Sequence, residues 1–176
     1  MGAAKADQAQ VGVRVALARE GSSSVSTGLT LLDHLVGALA TSARLQLSLE
    51  VAPGAVDPAV AAAGRKVGEG LEPLLRAPGA VGHGFAWLPA DEALAGAVIE
   101  VSDRPLVVAN ADFSGVGGLR SDVVAVFLDE FARGARLNVH IRVLEGKDPQ
   151  NVLRAIFKAL GAAIGQACRT PEGGEP

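Results

Sequence analysis

Apolar and polar residues alternate from Leu45 to Val51 (LQLSLEV) and again from Leu137 to Val143 (LNVHIRV). A period of two sends every second side chain to one face, so each run predicts a strand with one buried side. The likeness extends upstream. Residues 42–51 read SARLQLSLEV and residues 134–143 read GARLNVHIRV, with four of ten positions identical at a constant spacing of 92. Strands are therefore predicted over 42–51 and 134–143. A helical pattern precedes each, over Leu31–Thr41 and Val123–Arg133, and an Asp-Pro step follows each, at Asp57-Pro58 and Asp148-Pro149. Asp suits a helix N-cap and Pro the first helical position, which predicts helices over about 58–76 and 149–168. The second carries Val152, Leu153, Ile156, Leu160 and Ile164 on one face. Further strands are predicted at Val11–Leu17, Phe85–Leu88, Ala97–Val101 and Leu106–Ala109.

This pattern implies an α+β fold: an internally duplicated, two-half α/β sandwich, each half a small sheet with helices on one face. The repeat places residues 42–51 and 134–143 in equivalent strands about a pseudo-twofold axis. A single duplicated domain is expected over 11–169, with halves of about 11–78 and 79–169. The ends, 1–10 and 170–176, are small, polar or rich in Gly and Pro, and are expected to be disordered.

Composition narrows the function. Sixteen basic against nineteen acidic side chains, with no Lys/Arg run, argue against nucleic acid as partner. Five Phe, one Trp and no Tyr leave little for aromatic stacking. No uncharged apolar stretch is long enough to span a membrane, and Met1–Gln10 lacks the order of a signal peptide. The lone Cys168 excludes a disulfide within one chain and reads as an inert helical thiol in a reducing compartment. A soluble, cytoplasmic protein is expected.

Several short motifs keep a specific order: Arg19-Glu20-Gly21, Thr27-Gly28, Leu32-Asp33-His34, Pro89-Ala90-Asp91-Glu92-Ala93-Leu94, Ser102-Asp103-Arg104-Pro105, His140-Ile141-Arg142 and Phe157-Lys158-Ala159. Together they resemble the imidazoleglycerol-phosphate dehydratases, manganese lyases of histidine biosynthesis, over about Val11–Ala167. The resemblance implies a duplicated α+β fold, trimers that assemble into a 24-subunit shell, and active sites between subunits. It also implies a reaction in which two Mn²⁺ ions hold an imidazolate and stabilise developing charge. In each half of the family pattern the metal is held by one single His and by a His-His-x-x-Glu at a helix start.

Measured against that pattern, most of the site is missing. Only His34, His83 and His140 are present in the chain. His34 keeps the first single-His position and is the only family ligand retained; its repeat partner is Val126. The two His-His-x-x-Glu motifs fall near Asp57–Ala61 and on Gln150-Asn151-Val152-Leu153-Arg154. Arg154 stands where a metal-binding Glu is expected, and a cation there repels Mn²⁺. No manganese or other cofactor is therefore expected. The family's phosphate grip is partial: Arg104 and Lys158 remain and form the candidate anion site, while Gly82 replaces an Arg and Thr170–Pro176 replace a Ser-bearing tail. Gln8 and Ala38 replace substrate-side Glu and Gln.

The other polar groups admit plainer readings. His34 reads as a structural residue at a helix start, with Asp33 as candidate N-cap. His140 sits on the polar face of its strand beside Asn138 and Arg142, suited to a structural or interface role. His83 lies in the Gly-rich stretch 79–84 without an identifiable partner, and the Asp91-Glu92 pair belongs to a segment that the family uses structurally. The resulting expectation is a catalytically inactive, metal-less member acting through binding or assembly, with no catalytic residues. The alternative is an active dehydratase, or an enzyme repurposed for a related phosphorylated metabolite. Expected partners are a small phosphorylated metabolite, copies of the chain in a homotrimer or higher oligomer, and an active paralogue.

Overall fold

In this computed structural model the described residues are 9–111 and 123–170. Eleven elements follow one another: β1 (Val11–Leu17), β2 (Ser22–Ser26), α1 (Thr30–Ala43), β3 (Leu45–Val51), α2 (Val56–Leu75), β4 (His83–Ala90), β5 (Ala93–Val101), β6 (Leu106–Ala109), α3 (Val123–Ala135), β7 (Leu137–Glu145) and α4 (Pro149–Ala167). They form two sheets, in the orders β1-β3-β2 and β4-β5-β7-β6.

The duplication holds in the strand register. In the first sheet β1 runs antiparallel and β2 parallel to β3. In the second, β5 and β6 stand in the same relations to β7. Leu17 faces Leu45 and Val101 faces Leu137; Ser22 faces Gln46 and Leu106 faces Asn138. The central strands are thus offset by 92 residues and their neighbours by 84. The eight extra residues fall between β6 and α3, in a stretch that includes the undescribed residues.

Both predicted central strands begin three residues too early. Ser42 and Ala43 finish α1, and Arg44 takes a left-handed conformation (φ 53°) before β3 begins at Leu45. Arg136 does the same (φ 55°) between α3 and β7. The repeated Ala-Arg-Leu is therefore the last helical residue, a left-handed cap and the first strand residue. Such a cap suits a helix C-terminus, where the turned backbone can meet the last carbonyls; the Arg44 N–H donates to Ala40 O and Thr41 O.

Two helix starts also differ from expectation. Helix α2 begins at Val56, so Asp57 lies inside its first turn, and Ala55 caps it without a side-chain bond. Asp148 does cap α4, accepting from Gln150 N at 2.8 Å. Asp33 does not cap α1. Its carboxylate reaches back to Thr27, accepting from both the backbone N–H and the hydroxyl. Strand β2 is a serine-rich run whose weak apolar pattern gives no strand signal. The expected ends lie mostly outside the described residues; Ala9 packs on the core, and Gln10 O accepts from Ala52 N.

The helices occupy one face of each sheet. Helices α1 and α2 pack on the first sheet, α3 and α4 on the second, and the two layers meet through α1 on α4 and α2 on α3. These crossings are close because glycines line them. A Cβ on Gly68 of α2 would sit 2.3 Å from Phe131 O of α3, and one on Gly161 of α4 would sit 2.2 Å from Leu39 O of α1. Phe127, Phe131 and Phe157 fill the centre, with ring centroids 6.1–6.3 Å apart. Every side chain in the fully buried set is apolar.

Candidate functional site

The sequence singled out positions in both halves, and the fold brings two of them together. His34, exposed in the second turn of α1, and Arg154, exposed in α4, line one hollow of about 560 Å³ with Ser23, Thr30, Asp33 and Ala38. This follows from α1 packing on α4, which sets the single-His position of one half against the helix start of the other. The hollow is roomy because Gly37 and Ala38 carry almost no side chain where α1 faces it.

Its electrostatics are set by the hairpin turn between β4 and β5. Asp91 adopts φ 48° in the two-residue loop between β4 and β5, a conformation that such tight hairpins require. Its carboxylate pairs with Arg154 at 3.6 Å, both groups being largely exposed. The neighbouring Glu92 accepts from the N–H groups of Asp148 (2.7 Å) and Lys147 (3.2 Å) and from the Asn151 amide (2.8 Å). These bonds, chiefly the one from Asp148 N–H, hold its pKa down at about 2. The Asp91-Glu92 pair thus braces the start of α4, a structural task, rather than sharing a proton as an acid–base dyad.

The donor set does not fit Mn²⁺. One imidazole, a carboxylate already bonded to Thr27 and a guanidinium supply at most two neutral or anionic donors, whereas Mn²⁺ favours several oxygen and imidazole ligands. Among the described residues, no three His, Cys, Asp or Glu side chains stand close enough to hold an ion. Val126, the repeat partner of His34, lies half-buried in α3.

Arg104 and Lys158 do not come together within one chain. Arg104 is exposed in the turn after β5, and its side chain has no partner among the described residues. Lys158 donates to Pro89 O, opposite Leu94 near the other end of β5. Leu94 and Val101 are seven residues apart on one strand, or about 23 Å at 3.3 Å per residue. His140 is half-buried on the outer face of β7, beside Asn138, whose Oδ1 is buried without a partner among the described residues. Cys168 is buried, and that burial pushes its thiol up to about 11, leaving it a poor nucleophile. A further cationic cluster was missed in the sequence: Arg169 donates to the carbonyls of Ala43, Gly165, Ala18 and Arg44. The contacts that reach Ala18 and Arg44 lie more than a hundred residues away, beyond any local pattern. No helix among the described residues is long and apolar enough to cross a membrane.

Comparison with known proteins agrees with the two-half geometry. The family model of imidazoleglycerol-phosphate dehydratase matches residues 27–164. The imidazoleglycerol-phosphate dehydratase of Clostridium botulinum (strain Kyoto / Type A2) is 31% identical over 169 residues, covering 93% of this chain and 86% of its own length. That of Chlorobium luteolum is 29% identical over 181 residues, covering 98% and 89%. The crystal structure of the Staphylococcus aureus enzyme superposes with a TM-score of 0.82 at 28% identity, covering 92% of this chain and 95% of that one. The Pyrococcus furiosus structure, determined in complex with (S)-C348, superposes equally well (TM-score 0.82) at 23% identity and supports the fold alone. The chain belongs to the imidazoleglycerol-phosphate dehydratase family.

Proposed function

We propose that the chain is a catalytically inactive, metal-less member of its family that acts through binding or assembly. One observation carries this: Arg154 lines the hollow that holds His34, the single family ligand position retained. A guanidinium has no lone pair to give a metal where a carboxylate is expected, and the other carboxylate of the hollow, Asp33, is already bonded to Thr27. Elemental analysis of the purified protein tests the reading. Manganese at one to two per chain would overturn it, as would complementation of a histidine auxotroph lacking the dehydratase.

A second reading draws on the relatives' names, which are those of imidazoleglycerol-phosphate dehydratases. Under it the chain is an active dehydratase, or an enzyme repurposed for a related phosphorylated metabolite. The same two experiments separate the readings.

Partners follow from exposed groups. Arg104 and Lys158 are the proposed grip for a small phosphorylated metabolite, and their separation along β5 means that a joint site needs two subunits. A homotrimer is the proposed assembly, with the exposed apolar side chains Phe85, Trp87, Val98 and Leu106 of the second sheet as the surface to be covered. An active paralogue is a further candidate partner. Light scattering in chelator and in Mn²⁺ should give the same trimer mass; a metal-dependent shell would count against the proposal. The lone buried thiol fits a reducing cytoplasm.

A further inference from the structure

The surface proposed to meet other copies of the chain has a histidine at its centre. Read across the strands, the outer face of the second sheet is a small grid. One row runs His83, Glu100, Asn138, Leu106; the next runs Phe85, Val98, His140, Val108; a third pairs Trp87, Gly96 and Arg142. The middle row is apolar except for His140, which stands half-buried between Val98 and Val108. Its imidazole has no hydrogen-bond or ion-pair partner among the described residues.

The charges around it oppose one another. From β5 the facing charge is Glu100, one row away and diagonal; from β7 itself it is Arg142, two residues along. Strand β6 brings only Leu106 and Val108, and β4 lies beyond β5, with His83 opposite Glu100. Arg142 donates to Ile141 O of its own backbone at 2.9 Å, so no acid cancels it there. Carboxylate and guanidinium both stand about 7 Å from the histidine by strand geometry, and their effects on a proton nearly cancel. Water then decides. Histidine is the side chain that ordinarily changes charge near pH 6.5, and an imidazolium costs far more to desolvate than the neutral ring.

We propose that His140 makes the trimer pH-sensitive, closed by the neutral ring and opened by the imidazolium. This rests on the trimer and on the second sheet as its contact surface. Because assembly favours the unprotonated ring, the stability it allows is present above about pH 6.5 and is lost as pH falls below that.

Sedimentation of the full chain in a dilution series at pH 8 and pH 6, at fixed ionic strength, tests the switch, with circular dichroism to show intact helices at both. At pH 6 about a quarter of ordinary imidazoles are neutral, which weakens assembly about fourfold per subunit. The overall dissociation constant of the trimer should therefore rise about seventyfold. His140→Gln, neutral at both pH values, should stay trimeric and lose this dependence. His140→Lys, charged at both, should be monomeric at pH 8. His83→Gln should keep the native dependence, which separates the two histidines of this face. A native trimer equally tight at both pH values would overturn the switch and leave the trimer standing. A native monomer at pH 8 would overturn the trimer and the switch with it. A dependence that survives in His140→Gln, or a trimeric His140→Lys, would place the proton elsewhere and also overturn the proposal.

Discussion

Across the outer face of the first sheet, one cross-strand row reads Arg14, Ser48, Ser24. The equivalent row of the second sheet reads Val98, His140, Val108. The next row pairs Ala16, Gln46 and Ser22 with Glu100, Asn138 and Leu106. The first face is polar; the second exposes Val98 at 56% and Leu106 at 52%, extended by Phe85 and Trp87 of β4. Behind the two faces the buried residues match: Leu45 with Leu137, Leu47 with Val139, Leu49 with Ile141. A shared interior constrains the inward half of each strand, whereas the outward half is free to follow whatever it meets. The difference between the sheets therefore records what lies outside them.

The largest expected effect comes from exchanging that outward chemistry. Val98→Arg with Leu106→Ser gives the second sheet the residues that the first has at those positions. Sedimentation should show the mass falling about threefold, from trimer to monomer. Emission from Trp87, the single tryptophan, should then stay at its water-exposed wavelength on concentration. An unchanged mass would mean that the apolar face is not where copies meet.

The inward positions should respond alike. Leu49→Ala and Ile141→Ala should each cost about 2–5 kcal/mol in chemical denaturation, since both leave cavities in buried strand centres. A gap between them much above 1 kcal/mol would show that the halves are less equivalent than their register.

Gly12 and Gly96 are repeat partners with different surroundings. A Cβ on Gly12 meets nothing within 4 Å, whereas one on Gly96 meets the Trp87 ring at 2.7–2.8 Å. Gly96→Val should displace the indole and cost about 1–3 kcal/mol. Gly12→Val should stay within about 0.5 kcal/mol. Equal melting shifts would deny the indole its seat on the glycine.

The smallest effects concern the helix starts. Asp148→Ala should cost about 1 kcal/mol, and Ala55→Asp, at the uncapped start of α2, should gain up to about as much. Glu92 adds a pH dependence. Its folded pKa of about 2 lies below the ordinary 4.5, so its contribution is present above pH 4.5 and is lost as pH falls from there toward 2. Urea denaturation of Glu92→Gln at pH 6 and pH 3 should show a smaller difference than the native chain does.

Strong local signals carried most of the fold into the sequence. The alternation in β3 and β7 and the apolar face of α4 each predict an element. The shared Ala-Arg-Leu shows that the halves correspond but not that its middle residue turns left-handed, because Arg has no preference for that conformation. Strand β2 has one partly buried valine and becomes a strand by pairing with β3, a tertiary effect invisible along the chain. At the site, the departure at Arg154 was legible because a guanidinium offers no lone pair to a metal, whereas His34 keeps a residue type that does. That the two line one hollow depends on α1 crossing α4. The carbonyls that Arg169 gathers, those of Ala18, Ala43, Arg44 and Gly165, come from three segments that no motif connects.

The way the helices cross has a bearing on ancestry and on folding. Since α1 corresponds to α3 and α2 to α4, the contacts of α1 with α4 and of α2 with α3 are the reciprocal pair that a twofold dimer of a single half would make. Each half supplies the other's missing subunit, as if a homodimer had been fused into one polypeptide. Neither half then has a complete interior alone. Cut in the loop between α2 and β4, the chain should yield two fragments that are unfolded apart and regain helical structure when mixed.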